Sequence, residues 1–250
     1  MTADRYLDWD GCYNVRDLGG FHTVDGRRTR HGVVVRSERP NGLTATGWSA
    51  LHAHGIRTIV DLRNDEERRA TDADPRPTEL ATVHVPLEQD LLADPEYKQW
   101  AERGLLATPL YYRTFLSRWP ERAAAAVAAV AHAQPGGVLI HCGLGRDRTG
   151  LVAMLLLALA GVAPAEIAAD YELSTGRTRS VYARLGLEDD SSKIRDLLDR
   201  ENTSARAAIL ATLASLDVAA CLRTGGLDAA GLAAVRARLL EPALDPSSER

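Results

Sequence analysis

The stretch Val138-Leu139-Ile140-His141-Cys142-Gly143-Leu144-Gly145-Arg146-Asp147-Arg148-Thr149-Gly150 decides how this chain is read. Val138, Leu139 and Ile140 form a continuous apolar run of the kind buried on both faces of a parallel sheet. Thr149 to Ala160 is hydrophobic all round, which predicts a central helix. Between them lies a short loop carrying Gly143 and Gly145. Such a strand-to-helix loop points successive backbone N–H groups into one concavity, and the helix that follows adds its positive end. The pattern predicts an anion site suited to phosphate. Cys142 enters that positive field, which favours its thiolate. The planar fork of Arg148 can grip two oxygens of a phosphoryl group.

Working outward, short β-branched runs alternate with helical stretches. Val33 to Val35, Arg57 to Leu62 and Thr82 to Leu87 read as strands, the last stopped by Pro86. Thr44 caps a helix ending near His54-Gly55, and Asn64-Asp65-Glu66-Glu67 places acids in the first turn of another. The charge run Asp65, Glu66, Glu67, Arg68, Arg69 reads as a solvated helix face. Pro95 to Arg103, Leu110 to Arg118 and Glu121 to Ala133 are helical, and so is the chain from Pro164 onward. Breaks are expected near Gly176, Gly186 to Ser192 and Gly225-Gly226. This alternation, ending in a helical C-terminal part, predicts one α/β domain over residues 1–250, a central mostly parallel sheet with helices on both faces.

Composition agrees. The chain has 250 residues, 45% hydrophobic and 26% charged, the balance of a globular protein with a sizeable core. Thirty basic against 34 acidic residues give a formal charge of −4, which carries neither a nucleic-acid footprint nor a polybasic membrane surface. Cys12, Cys142 and Cys221 are too few and too scattered for a disulfide framework, and none forms a Cys-x-x-Cys zinc pair. Met1 to Asp10 lacks the apolar stretch of a signal peptide, and the longest apolar run, Leu151 to Ala160, is too short to span a bilayer. A cytoplasmic protein without membrane insertion is the expectation, leaving open only export by a route that needs no signal peptide.

Two other phosphate motifs do not fit the loop. A nucleotide-binding P-loop needs Lys-Ser/Thr after its last glycine, and none follows here. The dinucleotide fingerprint needs a third glycine where this chain has Arg148. Cys142 could instead be a buried small hydrophobe beside a tight turn. Arg146, Asp147 and Arg148 crowded between apolar elements argue against that.

Cys-x5-Arg-Thr-Gly after an apolar strand resembles the signature loop of cysteine-dependent protein tyrosine phosphatases. The longer form, HCGLGRDRTG, is similar to the H-C-x-A-G-K-D-R-T-G of a bacterial group typified by mycobacterial protein tyrosine phosphatase B, with Leu144 in place of Ala and Arg146 in place of Lys. Asn14 to Gly20, Val35-Arg36-Ser37, Ile59 to Arg63, Asp170 to Ser174 and the segment Leu222 to Glu241 agree with that group. The resemblance implies that phosphate monoesters of protein, phosphotyrosine first and phosphoserine, phosphothreonine or phosphoinositides as further candidates, are cleaved through a phosphocysteine, releasing inorganic phosphate without metal or cofactor. Cys142 would be the nucleophile, and Arg148 with the amides of Gly143, Leu144, Gly145 and Arg146 would hold the phosphoryl oxygens. Thr149 would assist the departing sulfur or cap the helix, and His141 would order the loop.

The general acid has three candidates. Asp147 is implied by the resemblance, with pairing to Arg146 or Arg148 as its plainer role. Asp61 stands at a strand end beside the loop, where it could instead bind substrate or orient Arg148. Glu121, in Trp119-Pro120-Glu121, matches what a helix start prefers in any case. Arg16 and Arg36 could line the pocket, and Cys12 is either a resolving thiol or an inert buried one. A rhodanese-type sulfurtransferase and a phosphate-binding pseudophosphatase are the competing functional readings.

Overall fold

Five strands form the sheet, in the order β1-β2-β5-β3-β4: β1 Arg16–Asp17, β2 Val34–Ser37, β3 Ile56–Asp61, β4 Ala81–His84 and β5 Gly137–His141. The computed structural model describes residues 5–70 and 77–242. β1 runs antiparallel at one edge and the other strands are parallel. β5 is central, and His141 at its C-terminal end lies opposite Ser37 on one side and Asp61 on the other. Loops leaving β2, β3 and β5 therefore meet at one edge of the sheet, where open α/β folds gather their ligands.

The side chains of β5 alternate between two apolar cores. Val138 and Ile140 pack with α5 (Pro120–Ala131) and α6 (Asp147–Leu159). Leu139 packs with Ile59 and with Leu51 of α1 (Ala45–Ala53), a helix capped by the Thr44 hydroxyl. Helices thus cover both faces. α6 is the buried helix that its sequence predicts, with Leu151, Val152, Leu155, Leu156 and Leu157 all fully buried.

α2 (Asp65–Arg69), α3 (Pro95–Glu102) and α4 (Tyr112–Arg118) lie in the middle of the chain. After α6 come α7 (Pro164–Leu185), α8 (Ser191–Arg200), α9 (Ala205–Ser215), α10 (Val218–Thr224) and α11 (Ala229–Leu239). Among the described residues no single helix is long and apolar enough to cross a membrane.

Several elements differ from the sequence expectation. α7 runs straight through Gly176: a mid-helix glycine costs about 1 kcal/mol, and the buried face of Ile167, Tyr171, Ser174, Thr178 and Val181 carries the helix past it. β4 ends at His84, ahead of Pro86, and is an exposed edge. β1 is too short for any alternation to mark it. α6 begins at Asp147, so Thr149 lies inside the first turn and does not cap the helix.

Leu155→Ala would open a void in the middle of α6. It should cost about 2–5 kcal/mol and lower the thermal midpoint by roughly 5–15 °C, read by calorimetry alongside the urea midpoint.

Candidate active site

The loop from β5 to α6 is shaped by what takes its carbonyls. Gly143 O accepts from the Arg39 amide at 3.0 Å, and Leu144 O from Asn14 Nδ2 at 2.9 Å. Gly145 O accepts from Arg36 Nη2 at 2.9 Å, with Arg146 O at 3.4 Å from the same nitrogen. Asp147 O accepts from the Tyr112 hydroxyl at 2.6 Å. A planar peptide unit sends its N–H opposite to its C=O, so these bonds turn the following amides away from the buried donors. Gly145 takes φ +71°, and a Cβ there would stand 2.4 Å from Glu38 N and Ser37 C. No other residue fits that contact.

Cys142, Gly143, Leu144, Arg146, Asp147 and Arg148 line a cavity of about 480 Å³, closed around by Arg39, Arg63, Glu67, Glu88, Leu106, Leu185, Leu187 and Asp190. Cys142 is 3% exposed, at the end of the central strand. His141 Nδ1 donates to the Cys142 carbonyl at 3.0 Å, and its Nε2 stands 3.6 Å from Asp61.

Arg148 is held in a two-pronged pair by Glu67, at 2.5 and 2.7 Å, and its Nε lies 3.5 Å from Glu88. Burial alone would raise the Glu67 carboxyl, but the Arg148 fork overcomes this and holds it below the ordinary range. Glu88 behaves the other way. Its burial outweighs the nearby Arg148 and the Tyr111 hydroxyl, and its pKa is raised. Arg146 donates from Nε to Asp147 at 3.1 Å and from Nη1 to Asp190 at 3.3 Å, while the Tyr171 hydroxyl donates to Asp147 at 3.0 Å. The Tyr182 hydroxyl also reaches Asp190.

The structure therefore brings Cys142, Gly143, Leu144, Arg146, Asp147 and Arg148 to one cavity. Gly145 is the hinge of their loop. Other candidates lie elsewhere. Asp61 is fully buried and off the cavity, its carboxylate gripped by the Arg63 fork at 2.9 and 2.7 Å. That fork and His141 overcome burial and keep it ionised far below the carboxylate range, so Asp61 orients Arg63 and not Arg148. Arg16 and Arg36 do not line the pocket but lie buried beneath the loop. Glu121 sits in the exposed first turn of α5.

Thr149 Oγ1 is buried without a hydrogen-bond partner, so it makes no bond to sulfur here. Cys12 is buried 3.2 Å from Ser37 Oγ, and burial together with Glu38 pushes its thiol up, which is the inert alternative. Among the described residues no group of three or more His, Cys, Asp or Glu side chains is placed to hold a metal ion.

Glu67 and Glu88 were not legible as site residues. Glu67 belongs to the charge run read as a solvated face, yet it turns inward. Its spacing to Asn64, whose amide donates to it at 3.0 Å, signalled only a helix start. Glu88 follows Pro86 and Leu87 in an irregular segment, and no pattern marks it.

The profile of the tyrosine phosphatase family matches residues 7–241. A Cupriavidus necator protein that carries a tyrosine-protein phosphatase name is 33% identical over 177 residues, covering 68% of this chain and 63% of that protein. A tyrosine-protein phosphatase of Nostoc commune is 33% identical over 156 residues, 57% of this chain and 48% of its own length. The triple specificity protein phosphatase of Mycobacterium tuberculosis is 28% identical over 202 residues, 70% of this chain and 71% of its own. The chain thus spans about half to just under two thirds of the first two relatives. The family match takes in every strand and every helix described above, together with the loop at the end of β5, and on that extent the chain belongs to the tyrosine phosphatase family.

Proposed function

We propose that this protein hydrolyses phosphate monoesters, phosphotyrosine in proteins among them, through a phosphocysteine at Cys142. The observation that carries the reading is one loop turned so that amides, a thiol and the Arg148 guanidinium share one cavity. The Cys142 thiolate attacks phosphorus, the P–O ester bond breaks, and Asp147 gives its proton to the leaving oxygen. Water then attacks the phosphocysteine, Asp147 takes the water's proton, and the thiolate departs from inorganic phosphate. The loop amides and Arg148 hold the three equatorial oxygens in both steps.

Arg148 pairs with Glu67 and lies 3.5 Å from Glu88, so two carboxylates border the cavity that would take a dianion. Burial raises the Glu88 pKa, so a proton is more readily taken up there as the phosphoryl group enters. Leu106, Leu144, Leu185 and Leu187 give the cavity an apolar side on which an aromatic ring can lie. The triple specificity of the mycobacterial relative supports testing phosphoserine and phosphoinositide esters beside phosphotyrosine.

Four measurements check this. An aryl phosphate should be turned over in EDTA and the reaction blocked by vanadate. Cys142→Ser should abolish turnover, and Asp147→Asn should lower kcat by roughly 10²–10³-fold, most of all for esters with poor leaving groups. Persistent hydrolysis by Cys142→Ser would refute the mechanism.

Glu88 supplies a separate test through stability. Its folded pKa lies above the unfolded value of about 4.3, so the charged form destabilises the fold at neutral pH and the penalty disappears as pH falls to that value. Glu88→Gln should therefore melt higher than wild type at pH 7–8, with the gap closing near pH ~4.

A further inference from the structure

We infer that Asp170, on α7, is a positioning residue for the loop of residues 142–148, acting through Arg36. The inference rests on the phosphatase reading above, because it concerns how that site is kept in shape. Arg36 is 1% exposed on β2. Its Nη1 donates to Asp170 Oδ2 at 2.7 Å while Nη2 donates to Gly145 O at 2.9 Å, so one fork joins the helix to the loop.

A second route leads to the same carboxylate. Arg16 donates to Asp170 Oδ1 from Nε at 3.0 Å and to the Asp170 carbonyl at 2.6 Å. Its Nη1 donates to Asn14 Oδ1 at 2.9 Å, and Asn14 Nδ2 in turn holds Leu144 O at 2.9 Å. Two neighbouring loop carbonyls, those of Leu144 and Gly145, are thus referred to one side chain on α7. Ser174, one turn on, accepts from both arginines, at 3.1 and 3.4 Å.

Stability alone does not account for this arrangement. Arg5 also donates to Asp170, so three buried arginines share one carboxylate. An apolar cluster of that volume would hold the sheet to α7 at least as well, since buried ions repay their desolvation poorly. Burial and the neighbouring Arg36 push the Arg16 guanidinium down to about 10, a sign of how crowded the positive charge is. What the ions supply and apolar groups cannot is direction: forks that fix where carbonyl oxygens point, and so where the amides of the next residues point.

The test is a double-mutant cycle of Arg36→Lys and Asp170→Asn, with kcat and KM for an aryl phosphate, the vanadate dissociation constant, and the thermal midpoint read on each protein. Lysine keeps the charge but loses the fork. Arg36→Lys should stay folded and lose at least about tenfold in kcat and in vanadate affinity, with KM changed less than about threefold. In the Arg36→Lys background Asp170→Asn should cost less kcat than it does in wild type, because only the route through Arg16 and Asn14 is left to lose. Should Asp170→Asn not fold, Asp170→Glu, which keeps the charge and moves it by one methylene, takes its place in the same cycle. Additive losses, or a lower midpoint with wild-type kcat in Arg36→Lys, would overturn the inference while leaving the phosphatase reading intact. Absence of turnover by wild type would instead strike the phosphatase reading itself.

Discussion

A planar peptide unit sends its carbonyl and its amide in opposite directions, so a loop can offer amides to an anion only where other groups take its carbonyls. That constraint organises this molecule. The donors that take the carbonyls of Gly143 to Asp147 come from the segment before β1, from β2, from the turn after β2 and from α4. Left without partners, each buried carbonyl would cost about 1–3 kcal/mol. The loop's shape is therefore a property of the whole fold and not of its own few residues.

The charges divide into two layers. Around the cavity, Arg148 and Arg146 are each matched by carboxylates, from Glu67 and Glu88 in one case and from Asp147 and Asp190 in the other. Beneath the loop the balance is broken, because Arg5, Arg16 and Arg36 face Asp170 together. The surface layer holds the guanidinium groups in place, and the buried layer ties the loop's carbonyls to α7.

The fold class and the central loop were legible because their signals are local. An apolar run, two glycines, a cysteine and an arginine at fixed spacing, and an all-apolar helix lie within about twenty residues of one another. What could not be read depends on contacts between distant segments. Nothing in Asp65 to Arg69 tells that Glu67 turns inward while Glu66 and Arg69 pair outside. Arg16 and Arg36 stood out as members of suggestive segments, but only the packing of α7 against β1 and β2 shows that they lie under the loop. Asp61 was read from its place at a strand end, a correct position whose side chain is committed to Arg63 two residues on.

The central place of β5 has a kinetic side. Its partners are β2 and β3, both of which lie roughly eighty to a hundred positions earlier in the chain, and parallel pairing over such separations closes long loops before any contact repays them. Of the helices that follow α6, α7 and α9 pair over only about forty positions and need not wait for the sheet, whereas α10 and α11 reach back about a hundred to α5. A refolding chain can thus pair α7 with α9 while the thiol of Cys142 is still open to oxidants. Cys142 becomes sheltered in the same late event that completes the loop around it.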